Sequence, residues 1–204
     1  MKTAALKPLN RELHASPYLV SRRAETDHSH ERELGKGILA GLIGGLVGTI
    51  VMTEFQNAWS KASEALKSGN SEPKKQSGQK QGEQEEKEDA TMKAAEKIAE
   101  LGGRQLSHEQ KKKLGPVVHY SFGTLQGAIY GGATELTGTP GGFFPGLIFG
   151  AALFTVADEI AVPALGLTGK PSEWPLSSHL YALASHLVYG VSTEITRRGL
   201  RATL

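Results

Sequence analysis

Acidic residues lie at or near the ends of the apolar stretches of this sequence, and histidines lie near the start of two of them. Charged side chains at membrane depth are costly, usually face the interior of a helix bundle, and by default indicate a functional site. If the stretches are helices that alternate in direction, one end of the bundle collects Glu54, His119, Asp158, Glu159, His179 and His186. The other end receives the second acidic pair, Glu135 and Glu194.

The six residues of the first group support three kinds of chemistry. Imidazole titrates near neutral pH, so the group could relay protons. Histidine and carboxylate are also natural metal ligands, and they can form a structural network of hydrogen bonds and ion pairs between helices. The structural network is the favoured interpretation and proton transfer comes next. Because no tight metal-binding spacing such as His-Glu-x-x-His occurs, we predict no metal site and no cofactor.

Nucleophilic catalysis has little support in the sequence. Ser178 and Ser185 each precede a histidine, but neither lies in a nucleophile-elbow motif. The absence of cysteine excludes disulfides, cysteine–zinc sites and thiol chemistry. A membrane-embedded hydrolase is therefore the third alternative, and no catalytic residue is predicted.

Charge is distributed very unevenly along the chain. Mean hydropathy is only −0.28, yet residues 115–196 contain just six charged residues, namely Glu135, Asp158, Glu159, Lys170, Glu173 and Glu194. A helix at the surface of a soluble protein needs a polar stripe on its outer face, and most of this half has none. The net charge of +2 gives no indication of a nucleic-acid partner.

Four uncharged runs are long enough to cross a bilayer, which takes about 20 apolar residues. They are Gly37–Thr53, Leu114–Thr134, Leu136–Ala157 and Trp174–Thr193. We therefore predict an all-α integral membrane bundle of about four transmembrane helices, with the lipid bilayer as its partner. Trp59 and Trp174 suit the aromatic belt at the membrane–water interface.

Five segments follow from this pattern: a polar N-terminal tail (1–36), the first membrane helix and its extension (37–66), a charged insert (67–114), three further membrane helices (115–198) and a basic end (199–204). In the insert, Gly69–Asp89 has the low-complexity composition of a disordered segment. Ala90–Leu101 is predicted to be an amphipathic helix that ends at Gly102-Gly103. It is either an interfacial helix whose lysines meet lipid headgroups or a solvated connector.

Two features mark the approach to the second membrane helix. Ser107 and Gln110 have the spacing of a capping box for a short turn before Lys111. Pro116 is placed in the first turn of the membrane helix itself.

Small residues recur every four positions in the apolar runs, which places them along one helix face. In lipid, such stripes allow close approach of helix backbones, as in glycine zippers. The helix-packing residues predicted in this way, together with Gly37, are Gly41, Gly45, Gly123, Gly127, Gly131, Gly142, Gly146 and Gly150.

The runs also resemble each other in pairs. Gly37 to Glu54 matches Gly142 to Glu159 at one constant offset, and Tyr130 to Leu136 matches Tyr189 to Ile195. This suggests a duplicated helical hairpin whose copies are related by an axis along the membrane normal. A chance match of Gly-rich helices is the alternative.

Basic residues precede the first run and follow the last, among them Lys36 and Arg197. Four crossings return the chain to its starting side, so the positive-inside rule places both termini in the cytoplasm. Lys111 to Lys113 would then lie outside, against that rule.

Three segments of the sequence carry a resemblance to a known family. They are Asp158–Gly190 (DEIAVPALGLTGKPSEWPLSSHLYALASHLVYG), the segment from Val117 (VVHYSFGTLQGAIYG) and the first Gly-rich helix ending in Thr53–Phe55. Together they resemble the uncharacterised bacterial inner-membrane family that includes YagU. The resemblance covers the helices from Gly37 to Arg198 and excludes the tail and the charged insert. It implies a small multi-pass inner-membrane protein, and it assigns no reaction or binding site.

The favoured function is that of a non-enzymatic envelope protein, an accessory under acid or ionic stress. A second copy or another membrane protein is the expected protein partner. The alternatives are a small proton or ion channel or transporter that uses the buried carboxylates and histidines, and the hydrolase considered above.

Overall fold

The computed structural model describes the backbone of residues 17–69 and 88–204, and the side chains of 30–66 and 88–204. The chain divides into two compact units, Met1–Glu33 and Leu34–Leu204. In the first unit the described residues form the beginning of a helix, and the second unit contains a helical bundle. The described residues form helices and connecting loops, with no β-strand among them.

Within these ranges six α-helices follow in chain order: α1 (Pro17–Gly69), α2 (Ala90–Leu101), α3 (His108–Thr137), α4 (Phe143–Leu153), α5 (Val162–Ala164) and α6 (Leu176–Arg201). A π-helical segment, Phe154–Ala161, joins α4 to α5, and a 3₁₀ turn, Pro171–Glu173, precedes α6. Two helices, at His30–Leu66 and Phe143–Ala164, are long and apolar enough to cross a membrane.

The first helix begins earlier than the expected end of the polar tail at residue 36. It starts at Pro17, and no glycine or further proline follows until Gly35. Extending an existing helix avoids the cost of nucleating a new one, so the mixed-charge residues 17–36 continue the apolar helix. Residues 1–16 of the predicted tail, and residues 70–87 of the predicted disordered segment, lie outside the described residues.

The structure of the insert agrees with the sequence-based predictions for α2 and for the cap before α3. Asp89 caps α2 by accepting a hydrogen bond from the Met92 amide, and the predicted capping box between Ser107 and Gln110 is confirmed. The placement of Pro116 in a first turn is wrong, because α3 begins at His108 and Pro116 lies inside it. α2 packs beside this part of α3, with Gly115 against Thr91 and Met92.

The third apolar run does not form one helix from Leu136. Gly138 adopts a left-handed conformation with φ 61° and caps α3 after Thr137. Pro140 then prevents continuation of a regular helix, and α4 starts at Phe143. The fourth run is also displaced, because α6 starts after Pro175 and continues to Arg201.

α1 and α3 pack antiparallel along their glycine-rich faces. A Cβ placed on Gly41 would overlap the Gly127 carbonyl oxygen and lie 2.8 Å from the Gly131 Cα atom. A Cβ on Gly45 would lie 2.6 Å from the Gly123 carbonyl oxygen. The two backbones therefore approach to a distance that no side chain larger than hydrogen permits.

α4 and α6 also pack closely through small residues. A Cβ on Gly146 would lie 2.8 Å from the Gly190 carbonyl oxygen, and one on Gly150 would overlap that of His186. The corresponding contacts of the first hairpin join Gly41 to the Gly127 carbonyl oxygen and Gly45 to that of Gly123. The sequence match equates Gly127 with His186 and Gly131 with Gly190, so α6 is displaced by about one helical turn from the position that the match predicts.

Candidate functional site

The acids Asp158 and Glu159 lie in the π-helical segment, Phe154–Ala161. Pro163 follows shortly and lacks the amide that would bond the carbonyl of Glu159, four residues earlier. Such π-segments within α-helices frequently occur at functional sites. A π-helix, with hydrogen bonds between residues i and i+5, rotates less per residue than an α-helix does. The side chains after the π-segment therefore point in a different direction from the one that a continuous α-helix would give them.

Glu159 contacts His179 at the beginning of α6. The His179 Nδ1 atom lies 2.6 Å from Glu159 Oε1, and its Nε2 atom lies 3.0 Å from the Pro171 carbonyl oxygen. The carbonyl oxygen of Pro171 can only accept, so Nε2 is the donor in that contact, and a neutral imidazole would then present Nδ1 to Glu159 as an acceptor. The hydrogen bond between Nδ1 and Glu159 therefore contains one proton, held by either the imidazole or the carboxyl group.

A second contact lies deeper along α6. The His186 Nδ1 atom lies 2.9 Å from the Ala182 carbonyl oxygen and 3.6 Å from Asp158 Oδ2. These contacts bring together four of the six predicted residues, Asp158, Glu159, His179 and His186. We call these four, together with His119 of α3, the histidine–carboxylate cluster.

Glu54 does not join this cluster. Its side chain is exposed and makes no hydrogen bond or ion pair with residues 30–66 or 88–204. Thr49, one turn earlier, is buried where α1 meets Gly123. Five residues of regular α-helix turn the chain by about 140° relative to Thr49, which points Glu54 outward, whereas the π-segment turns its counterpart Glu159 toward α6.

The second acidic pair forms part of an ion-pair network with two arginines. Arg197 Nε donates to Glu194 Oε2 at 2.8 Å, and Arg201 Nε donates to Glu135 Oε1 at 2.7 Å. Arg197 also lies 3.7 Å from Glu135, which joins the two pairs. Glu194 is 1% exposed and Arg197 is 5% exposed. The charges at this end of the bundle are thus neutralised internally.

Sequence reasoning missed the arginines of this network. They were interpreted as topology signals beyond the last membrane helix, although Glu194 and Arg197 have the i, i+3 spacing of a helical ion pair. The structure also adds a backbone contact, since the Gly142 amide donates to Glu194 Oε1 at 3.2 Å. In the first hairpin a Cβ placed on Gly37 would overlap the Glu135 side chain, whereas in the second hairpin the glycine whose Cβ would meet Glu194 is Gly146.

The serines beside the histidines do not form a catalytic pair with them. The Ser185 hydroxyl donates to the Tyr181 carbonyl oxygen at 2.9 Å, one turn back on its own helix. In the part of the chain that the structure describes, no three histidine or acidic side chains are arranged to hold a metal ion. Comparison with protein-family models, curated proteins and solved structures gives no match for this chain.

A third charged group attaches α2 to the start of α3, outside the apolar runs. Lys111 Nζ lies 3.1 Å from Glu88 Oε1 and 2.5 Å from Glu96 Oε1. The hydrogen bond from Lys111 lowers the pKa of Glu88 below its usual value. The hydrogen bond to Glu96 raises the pKa of Lys111.

These shifts predict that acid loosens α2. A carboxyl group whose pKa is lower in the folded state stabilises that state above its unfolded pKa, and the contribution is lost as the pH falls through the folded value. We expect a spin label on Glu100→Cys to become more mobile below about pH 4.5, near the ordinary pKa of Glu. In a Lys111→Met background the change should be smaller. An equal change in both backgrounds would contradict the role of this pair.

Proposed function

We propose that this chain is a four-helix integral protein of a bacterial inner membrane that acts without enzymatic activity, as a structural or accessory component of the envelope under acid or ionic stress. Two of the helices, His30–Leu66 and Phe143–Ala164, have the length and composition to cross a bilayer. α3 and α6 cross with them in this proposal, because each packs along one of these helices through glycine contacts. The resemblance to the YagU family agrees with this assignment.

One observation supports an accessory role over transport: close helix contacts and a buried tyrosine lie between the two ionisable ends of the bundle. Glycine backbones meet directly between α1 and α3 and between α4 and α6. Tyr189, only 2% exposed, crosses from α6 and donates to the Gly123 carbonyl oxygen at 2.6 Å. In this arrangement the partly buried acids join one helix to another, as Glu135 joins α3 to Arg201 of α6 and Glu159 joins the π-helical segment to His179 of α6.

A small proton channel is the second candidate, and the Glu159–His179 contact favours it. A proton shared between carboxylate and imidazole is the elementary unit of a relay. His119 and His186 would extend that relay from the bundle end into the helices.

Proton flux in proteoliposomes separates the two proposals. We expect wild-type protein under an imposed pH gradient to give no flux above protein-free vesicles, and the Glu159→Gln variant to behave identically. Wild-type flux that disappears in Glu159→Gln would reject the accessory role and establish a conducting path through Glu159. Circular dichroism of both proteins controls for folding.

The proposed topology has both termini in the cytoplasm and the insert outside. Since the chain contains no cysteine, a single Ser77→Cys variant gives a clean test. A membrane-impermeant maleimide should label it in intact cells whose outer membrane admits the reagent. Labelling only after the inner membrane is permeabilised would reverse the topology and leave the four-helix bundle untouched.

A further inference from the structure

The apolar face of α2 is wider than its contact with the bundle. Met92 and Ala95 are buried, with Met92 against Gly115 of α3. At 100° per residue, Ile98 lies about 60° beyond Ala95 around the helix, and Leu101 lies about 60° beyond Ile98. Leu101 thus forms the far edge of the apolar face and borders Lys97, next to the polar face that carries Lys93, Glu96 and Glu100. Ile98 is 60% exposed and Leu101 is 91% exposed. Half of the apolar face of α2 therefore has no cover from the described residues.

A side chain of α2 contacts the chain just after the end of Phe143–Ala164, one of the two helices long enough to cross a membrane. Lys97 Nζ donates to the Leu165 carbonyl oxygen at 2.5 Å. Leu165 is 58% exposed and follows Val156 and Ile160, which are exposed to similar degrees. These residues continue the apolar outer surface of Phe143–Ala164, one of the two helices able to cross a membrane. Lys97 thus connects α2 to the level at which that surface stops.

We propose that Ile98 and Leu101 insert into the surface of the bilayer that holds the bundle, so that α2 is an interfacial helix whose partner is phospholipid. An amphipathic helix in the interface buries its apolar face at the boundary of headgroups and acyl chains and keeps its charged face in water. Lys97 lies at the border between the two faces of α2, where a long aliphatic stem with a charged tip fits both environments. This inference rests on the proposed membrane location of the bundle.

Nitroxide accessibility tests this inference with the full-length, cysteine-free chain reconstituted into vesicles of phosphatidylcholine and phosphatidylglycerol. The test site is Leu101→Cys and the matched control on the polar face is Glu100→Cys. A third label at Ile148→Cys, on α4 and 68% exposed, reports whether the bundle itself is in lipid. Power saturation is compared for oxygen, which concentrates in lipid, and for a water-soluble nickel chelate.

We expect the ratio of oxygen to nickel accessibility to be several-fold higher at Leu101 than at Glu100. Equal nickel accessibility at both positions, with Ile148 in lipid, would overturn the inference and leave the membrane bundle standing. Nickel accessibility at Ile148 as well would overturn the membrane location itself. Protection of Leu101 from both reagents would also overturn the inference, with dipolar broadening indicating a second copy of the chain and no broadening indicating cover by the chain itself.

Discussion

Replacing Arg197 by methionine is expected to destabilise the protein by about 3–5 kcal/mol, the usual cost of removing one partner from a buried ion pair. The variant leaves Glu194, 1% exposed, without its cation. The measurement is the unfolding free energy of purified protein in detergent micelles, from a denaturing-detergent titration followed by circular dichroism.

Two comparisons isolate the buried charge as the cause. Glu194→Leu combined with Arg197→Met should recover most of the loss, because apolar replacement of both partners is often neutral. Arg201→Met should cost less, since the side chains of Arg201 and Glu135 are each about one-fifth exposed. A loss at Arg197 no larger than that at Arg201 would contradict the prediction.

Replacing Gly127 by leucine is expected to separate α1 from α3 and to cost more than about 3 kcal/mol, beyond the usual range for overpacking a core. A Cβ at this position would overlap the Gly41 carbonyl oxygen and lie 2.5 Å from the Gly45 Cα atom. Neither atom can move without shifting a helix. The measurement is the same titration, with Gly127→Ala as a milder variant that should fold with a smaller loss.

Gly199 is the matched control, because it lies inside α6 and a Cβ placed on it would meet none of the described residues outside its own helix turn within 4 Å. Gly199→Ala should stabilise the protein by about 0.5–1 kcal/mol, the difference in helix-interior preference between the two residues. If Gly127→Ala stabilises the protein as much as Gly199→Ala does, the close contact between α1 and α3 is wrong.

Local signals in the sequence predicted local structure well. Ala90–Leu101 is helical over the predicted range, and Ser107 with Gln110 forms the predicted cap. These features depend on neighbours within four residues, which a sequence displays directly. The start of α3 was misplaced, because Pro116 was assigned to a first turn and the helix begins earlier, at His108. This N-terminal part of α3 packs against α2 at Gly115, a contact between distant segments.

The candidate site likewise has a part that the sequence predicted and a part that it did not. Composition and spacing identified His119, Asp158, Glu159, His179 and His186 as a group, since helices of alternating direction bring these positions to one end. The same reasoning included Glu54, because it follows the first apolar run and alternating helices place it at that end. The two acids face differently because a π-segment forms in one hairpin and a regular helix in the other.

By itself the sequence determined that the described chain is helical, which helix faces carry small residues, and that two hairpins share one pattern. Tertiary structure decided which charges meet between helices. Arg201 binds Glu135 because α3 and α6 end side by side, and His179 meets Glu159 because the π-segment turns toward α6. A periodic pattern specifies which face of a helix is apolar or small, whereas the partner of a charged side chain depends on the rotation and axial position of a second helix.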